Sequence, residues 1–85
     1  MITRRTVAEK LSAYLRHEIA LPDLVRWAET AMMEGEFEEK DLDAIRDVVS
    51  RLGVADVRAF GLMWEDCEAM LRSLGFTVHL EIVAA

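Results

Sequence analysis

The residues best suited to chemistry in this chain are one cysteine and two histidines: Cys67, His17 and His79. A thiol with an imidazole and a carboxylate can act as a nucleophile, and Asp66 stands beside Cys67. Cys67, however, falls between Trp64 and the pair Met70 and Leu71, on the apolar stripe of a helix. That placement favours a buried structural thiol over a reactive one. Asp66 then reads more simply as a first-turn acid of the same helix. His79 lies on the polar side of an alternating segment and reads as solvated. His17 ends an earlier helix, where an imidazolium suits the negative end of the dipole.

Other chemistries lack their ligands. Zinc needs several Cys or His at short spacing, and Cys67, His17 and His79 stand 12 or more residues apart. Phosphate loops need closely spaced glycines before a helix. The four glycines, Gly35, Gly53, Gly61 and Gly75, each read as a terminator. An EF-hand register starting at Glu34 puts Glu39 where glycine is required and Ile45 where a bidentate acid is required. No cofactor, metal or catalytic residue is expected, and the chain is not read as an enzyme.

The composition is that of one small globular domain: 85 residues, 53% hydrophobic and 31% charged. A single cysteine excludes an internal disulfide. The start, Met1-Ile2-Thr3-Arg4-Arg5, is basic but has no apolar run behind it, and no stretch approaches a membrane span. A cytoplasmic location is expected. The formal charge is −6, and the sign argues against nucleic acids and acidic membranes as partners.

The elements follow from periodicity. A first helix over about 3–17 carries Val7, Leu11, Tyr14 and Leu15 on one stripe. Its start is either Thr6 with Glu9 as a capping box or Thr3 with Ile2 and Val7 as a hydrophobic staple. A second helix, about 22–34, opens on Pro22 at the first helical position and stops at Gly35. Its broad face (Leu24, Val25, Trp27, Ala28, Ala31, Met32) suggests a central helix with two or more neighbours, and Met33 lies off it. A third, about 38–52, carries Leu42, Ile45, Val48, Val49 and Leu52, with Phe37 placed to staple onto Leu42. Residues 54–63 read as a single turn capped by Asp56, with a short strand as the alternative. A fourth helix, about 64–74, carries Trp64, Cys67, Met70, Leu71 and Leu74. The last segment, about 76–83, alternates Phe76, Val78, Leu80 and Ile82 with polar neighbours, the pattern of a strand.

The expected fold is therefore mainly α: a compact four-helix domain with a short turn before the last helix and a single C-terminal strand. A lone strand leaves its backbone unpaired. Its partner is residues 54–63, a second copy of the chain or another protein; a homodimer through Phe76, Val78, Leu80 and Ile82 is preferred.

Two features suggest partners. Residues 34–47 hold seven acids against two bases. Glu34, Glu36, Glu38, Glu39, Asp41 and Asp43 form an acidic knob that is either a solvated helix start or a docking surface for a basic protein. The run 59–64 places Phe60, Leu62 and Trp64 either in a buried loop or in an interface as aromatic anchors. Ala59-Phe60-Gly61-Leu62-Met63-Trp64-Glu65-Asp66-Cys67, with Leu71, Leu74, Gly75 and Phe76, resembles small uncharacterised bacterial proteins ending in the same way. Leu24-Val25-Arg26-Trp27-Ala28-Glu29 is similar to the same group. The resemblance implies a small helical bacterial protein and supplies no activity.

The leading expectation is a non-catalytic interaction module, an adaptor or an inhibitor of a basic partner. One alternative is a small enzyme or metal-dependent catalyst with its site assembled at a dimer interface. Another is a helix-turn-helix regulator, though its recognition helix would open on Trp64-Glu65-Asp66, whose acids repel phosphates.

Overall fold

The structure, a computed structural model, describes residues 1–56 and 63–78. Among the described residues four helices run in chain order: α1 (Arg4–Leu15), α2 (Leu21–Glu34), α3 (Leu42–Leu52) and α4 (Trp64–Ser73). The molecule is mainly helical, and no strand longer than a single bridge occurs among the described residues. Helix α2 has the expected two neighbours, α3 and α1. Helix α1 packs on all three others, while α2 leans mainly on α3.

The apolar stripes close one core. Val7 and Leu11, Leu24 and Ala28, Ile45, Val48, Val49 and Leu52, and Cys67 and Leu74 are all buried within it. No buried side-chain nitrogen or oxygen lacks a hydrogen bond among the described residues. Two expected core members are outside. Met32 is 42% exposed and Trp64 40% exposed. Each sits near one end of its helix.

The helix ends correct several expectations. Thr3, not Thr6, caps α1; its hydroxyl accepts from the Thr6 N–H at 3.2 Å, and the Thr6 hydroxyl accepts from the Thr3 N–H. Ile2 then precedes the cap and Val7 follows four residues after it, the staple spacing. Pro22 occupies the second helical position, behind Leu21. Its missing N–H costs nothing there either, because all of the first-turn donors lack helical acceptors. Helix α3 starts at Leu42, four residues later than its acids suggest. The cause lies upstream. Ile2 forms a parallel bridge to Phe37, donating to the Glu36 carbonyl at 2.6 Å and accepting from the Glu38 N–H at 2.9 Å. This holds 36–38 extended, so Phe37 packs on the core from the bridge instead of stapling onto Leu42. The chain then turns through Asp41 at φ 64°.

Helix α1 ends at Leu15, and His17 lies beyond it at φ 61°. The Glu18 N–H reaches the Ala13 carbonyl at 2.8 Å and the His17 N–H reaches Tyr14 at 3.1 Å. This is a Schellman ending, in which glycine normally takes the left-handed position. Replacing His17 by glycine is therefore expected to stabilise the fold by about 0.5–1 kcal/mol, by removing the Cβ strain. Urea unfolding checks it. A lower midpoint would mean that imidazole packing outweighs the strain. Helix α4 ends in the same motif with the usual residue: Gly75 has φ 90°, and the Phe76 N–H meets the Leu71 carbonyl at 2.9 Å.

Between α3 and α4, residues 53–56 are a turn with Ala55 buried. The rest of the expected turn, with Phe60 and Leu62, lies outside the described residues. Of the expected strand, residues 76–78 form no ladder, and Leu80 and Ile82 lie outside the described residues.

Candidate functional site

The ends of the bundle can be told apart by what meets there. At one end the start of α1 meets the exit of α4: Arg4 Nη1 donates to the Leu74 carbonyl at 3.4 Å. The Ile2–Phe37 bridge brings the loop after α2 to the same end. At the other end Tyr14, Leu15 and His17 share a cavity wall with Met63 and Trp64. Helices α1 and α4 are thus antiparallel, and the length of α1 separates the two ends by roughly 18 Å at 1.5 Å per residue.

The acidic residues belong to the first end. Glu34 closes α2, Glu36 and Glu38 flank the bridge residue Phe37, Glu39 and Asp41 form the turn, and Asp43 lies in the first turn of α3. Glu34, Glu36, Glu39, Asp41 and Asp43 are exposed, and Glu38 is half-buried. Phe37 points the other way along the extended stretch, into the core margin. Among the described residues the ion pairs are Arg16–Glu18 at 3.3 Å and Arg72–Glu68 at 3.8 Å, neither of which uses these acids.

Trp64 belongs to the second end. With Tyr14, Leu15, His17 and Met63 it lines a cavity of about 290 Å³. Met63 beside it is 66% exposed. The structure therefore does not bring Trp64 together with the acids; the residues expected to meet a partner fall into two surfaces.

Cys67 is fully buried. Burial pushes its thiol up to about 11, and the neighbouring Asp66 carboxylate adds to the shift. Asp66 itself accepts the Met63 N–H at 3.0 Å, closing the start of α4. His17 is exposed beyond α1, and His79 lies outside the described residues. No group of three or more His, Cys, Asp or Glu that could hold a metal converges among the described residues.

The raised thiol makes a testable pH statement. The folded chain holds this proton more tightly than the unfolded chain. Stability from this source is therefore complete below the ordinary thiol value of 9.0 and is lost as pH rises towards about 11. Cys67→Ala is expected to flatten the fall in unfolding free energy across that window. Native thiol labelling at neutral pH should be slow and should accelerate only on unfolding. Fast labelling of the native chain would contradict the buried placement.

One cluster was not anticipated. Arg4 and Arg5 occupy the first turn of α1, where the helix dipole disfavours cations. Their guanidinium carbons stand 5.4 and 5.9 Å from the centre of the Phe76 ring. Arg4 also reaches the carbonyl end of α4, where positive charge is favoured. Two arginines opening a helix are the sequence sign of such an outside partner. No helix among the described residues is long and apolar enough to cross a membrane. Helices α3 and α4 each pack on α1 more than on one another, unlike the paired helices of a helix-turn-helix. Comparison with protein-family models, with curated proteins and with solved structures found no match.

Proposed function

We propose that the chain is a non-catalytic protein-interaction module, an adaptor or an inhibitor, that works in the cytoplasm and receives a basic partner at its acidic end. The observation that carries this reading is the state of the acids there. Five of the six are exposed, and none enters an ion pair among the described residues. Clustered charge of one sign speeds encounter with an opposite patch. The second surface, Trp64 with Met63, offers apolar area at the opposite end. Partly exposed tryptophan is common among residues that dominate binding.

Affinity capture from a cell extract tests the reading. The chain would be compared with a variant carrying Glu36→Gln, Glu38→Gln, Glu39→Gln and Asp41→Asn, and with Trp64→Ala. At the exposed acids such substitutions shift stability by only about 0.5 kcal/mol each; Glu38 and Trp64 are partly covered, so circular dichroism of each variant checks that the folds stay comparable. The acid variant is expected to lose its partner about tenfold or more, and the loss should match the effect of high salt. Equal capture by the acid variant, with loss in Trp64→Ala, would move the docking surface to the other end. Equal capture by all three would sink the proposal.

A further inference from the structure

Three side chains suited to a soft metal ion share the cavity at the end of the bundle away from the acids. His17, Met63 and Trp64 line it together with Tyr14 and Leu15. His17 enters from beyond the end of α1, and Met63 and Trp64 from the start of α4. An imidazole nitrogen and a thioether sulfur are donors that suit copper(I). The face of an indole ring attracts a cation. The backbone adds a second observation. His17 stands at φ 61°, in the left-handed position that glycine normally takes at a helix end. Strain of this kind collects where a particular side chain is needed for function.

We propose that His17 and Met63 bind a copper(I) ion against the ring of Trp64. Both donors are neutral, so the set suits a monovalent ion. Zinc sites instead gather three or four imidazoles, thiolates or carboxylates, and no such group converges among the described residues. The local fields agree. Helix α1 ends at the cavity, and the carbonyl end of a helix favours a cation. The start of α4 would oppose one, but Glu65 and Asp66 load its first turn with negative charge. Asp66 also accepts the Met63 N–H at 3.0 Å, which fixes the backbone that carries the thioether. The reach suffices as well. A round space of about 290 Å³ is roughly 8 Å across, and bonds of roughly 2.0–2.3 Å to each donor need the nitrogen and sulfur about 4.5 Å apart. The three rotatable bonds of Met63, which is 66% exposed, can close that difference. The inference is independent of the acidic docking proposal, which concerns the other end.

Silver(I), a redox-stable ion with the same donor preference, tests it. The ion is titrated into the full chain in chloride-free buffer, and the methionine methyl groups and tryptophan indoles are followed by NMR. Met1, Met32 and Met33 are 81%, 42% and 83% exposed and line no part of this cavity, so they serve as thioether controls. A second donor on the same site raises affinity, so the Met63 methyl and the Trp64 indole should respond at a silver concentration about tenfold or more below the controls. His17→Gly, expected above to stabilise the fold, and Met63→Leu should each weaken the Trp64 response about tenfold or more. A Met63 methyl that titrates together with Met1 and Met33 would overturn the proposal, as would an unchanged Trp64 response in His17→Gly. The competing soft ligand is Cys67, and Met70, buried on the same helix, reports on it. If Met70 responded before Met63, the ion would belong to the thiol and the proposal would fail.

Discussion

Leu11→Ala is expected to lower the unfolding free energy by about 3–4 kcal/mol, the upper half of the range for a fully enclosed leucine. Leu11 is completely buried and lies on α1, the helix that packs on all three others. A cavity opened there is walled by several elements at once, so no single helix can settle into it. The whole domain is worth only about 4–13 kcal/mol at typical values per residue. The loss is therefore a large share of the total, and in a domain of this size it lowers Tm by roughly 15–25 °C. Thermal unfolding followed by circular dichroism measures it. Two controls on the same scaffold fix the interpretation. Leu15→Ala removes a half-buried side chain beside the cavity at the far end and should cost less than about half as much. Met33→Ala, at a side chain 83% exposed, should cost almost nothing. A Leu11→Ala cost below that of Leu15→Ala would show that Leu11 does not sit at the enclosed centre of the core.

The core was legible because helical period and burial are coupled: a stripe at i, i+3, i+4 and i+7 has nowhere else to go. Val7, Leu11, Ile45, Val48, Val49, Leu52, Cys67 and Leu74 all follow from spacing, and all are buried. Misreadings arose where long-range contacts decide. The width of the α2 apolar face rightly implied two neighbours, α3 and α1, but did not show that α1 touches all three other helices. The actual hub, α1, has a narrower stripe but meets neighbours on several sides, which a one-helix projection does not reveal. The late start of α3 was likewise hidden. Acids at 38, 39 and 41 mimic a dipole-matched first turn, but the bridge from Ile2 holds 36–38 extended and the chain then turns through 39–41 before α3 begins.

The candidate surfaces were legible as residue clusters but not as a geometry. Charge counts located the acids, and the excess of aromatic and apolar side chains near 60–64 located Trp64. That the two surfaces lie at opposite ends depends on α1 and α4 being antiparallel. The arginines that tie those helices together, Arg4 and Arg5, read from sequence only as a basic start with no apolar run behind it.

Gly35→Ala is expected to destabilise the fold by about 2–3 kcal/mol, although the local backbone argues the reverse. Gly35 sits at φ −76° and ψ 149°, a conformation open to any residue. At such a position alanine ordinarily stabilises by about 0.4–1 kcal/mol, because it restricts the unfolded chain. Space reverses the sign. A Cβ there would stand 2.5 Å from Ile2 Cδ1 and 2.6 Å from the Ala31 carbonyl oxygen. The isoleucine tip can rotate away, but the carbonyl belongs to the last turn of α2, where it accepts the Gly35 N–H at 2.9 Å. Chemical denaturation of Gly35→Ala, Ile2→Ala and the double variant separates the two contacts. If the Ile2 contact dominated, the double variant would cost no more than Ile2→Ala alone. Because the carbonyl cannot withdraw without opening the end of α2, the double variant should recover only part of the Gly35→Ala loss, leaving a measurable coupling between the sites. A stabilising Gly35→Ala would mean that the Ala31 carbonyl gives way without opening the end of α2, and that the loss of unfolded-chain freedom outweighs the crowding.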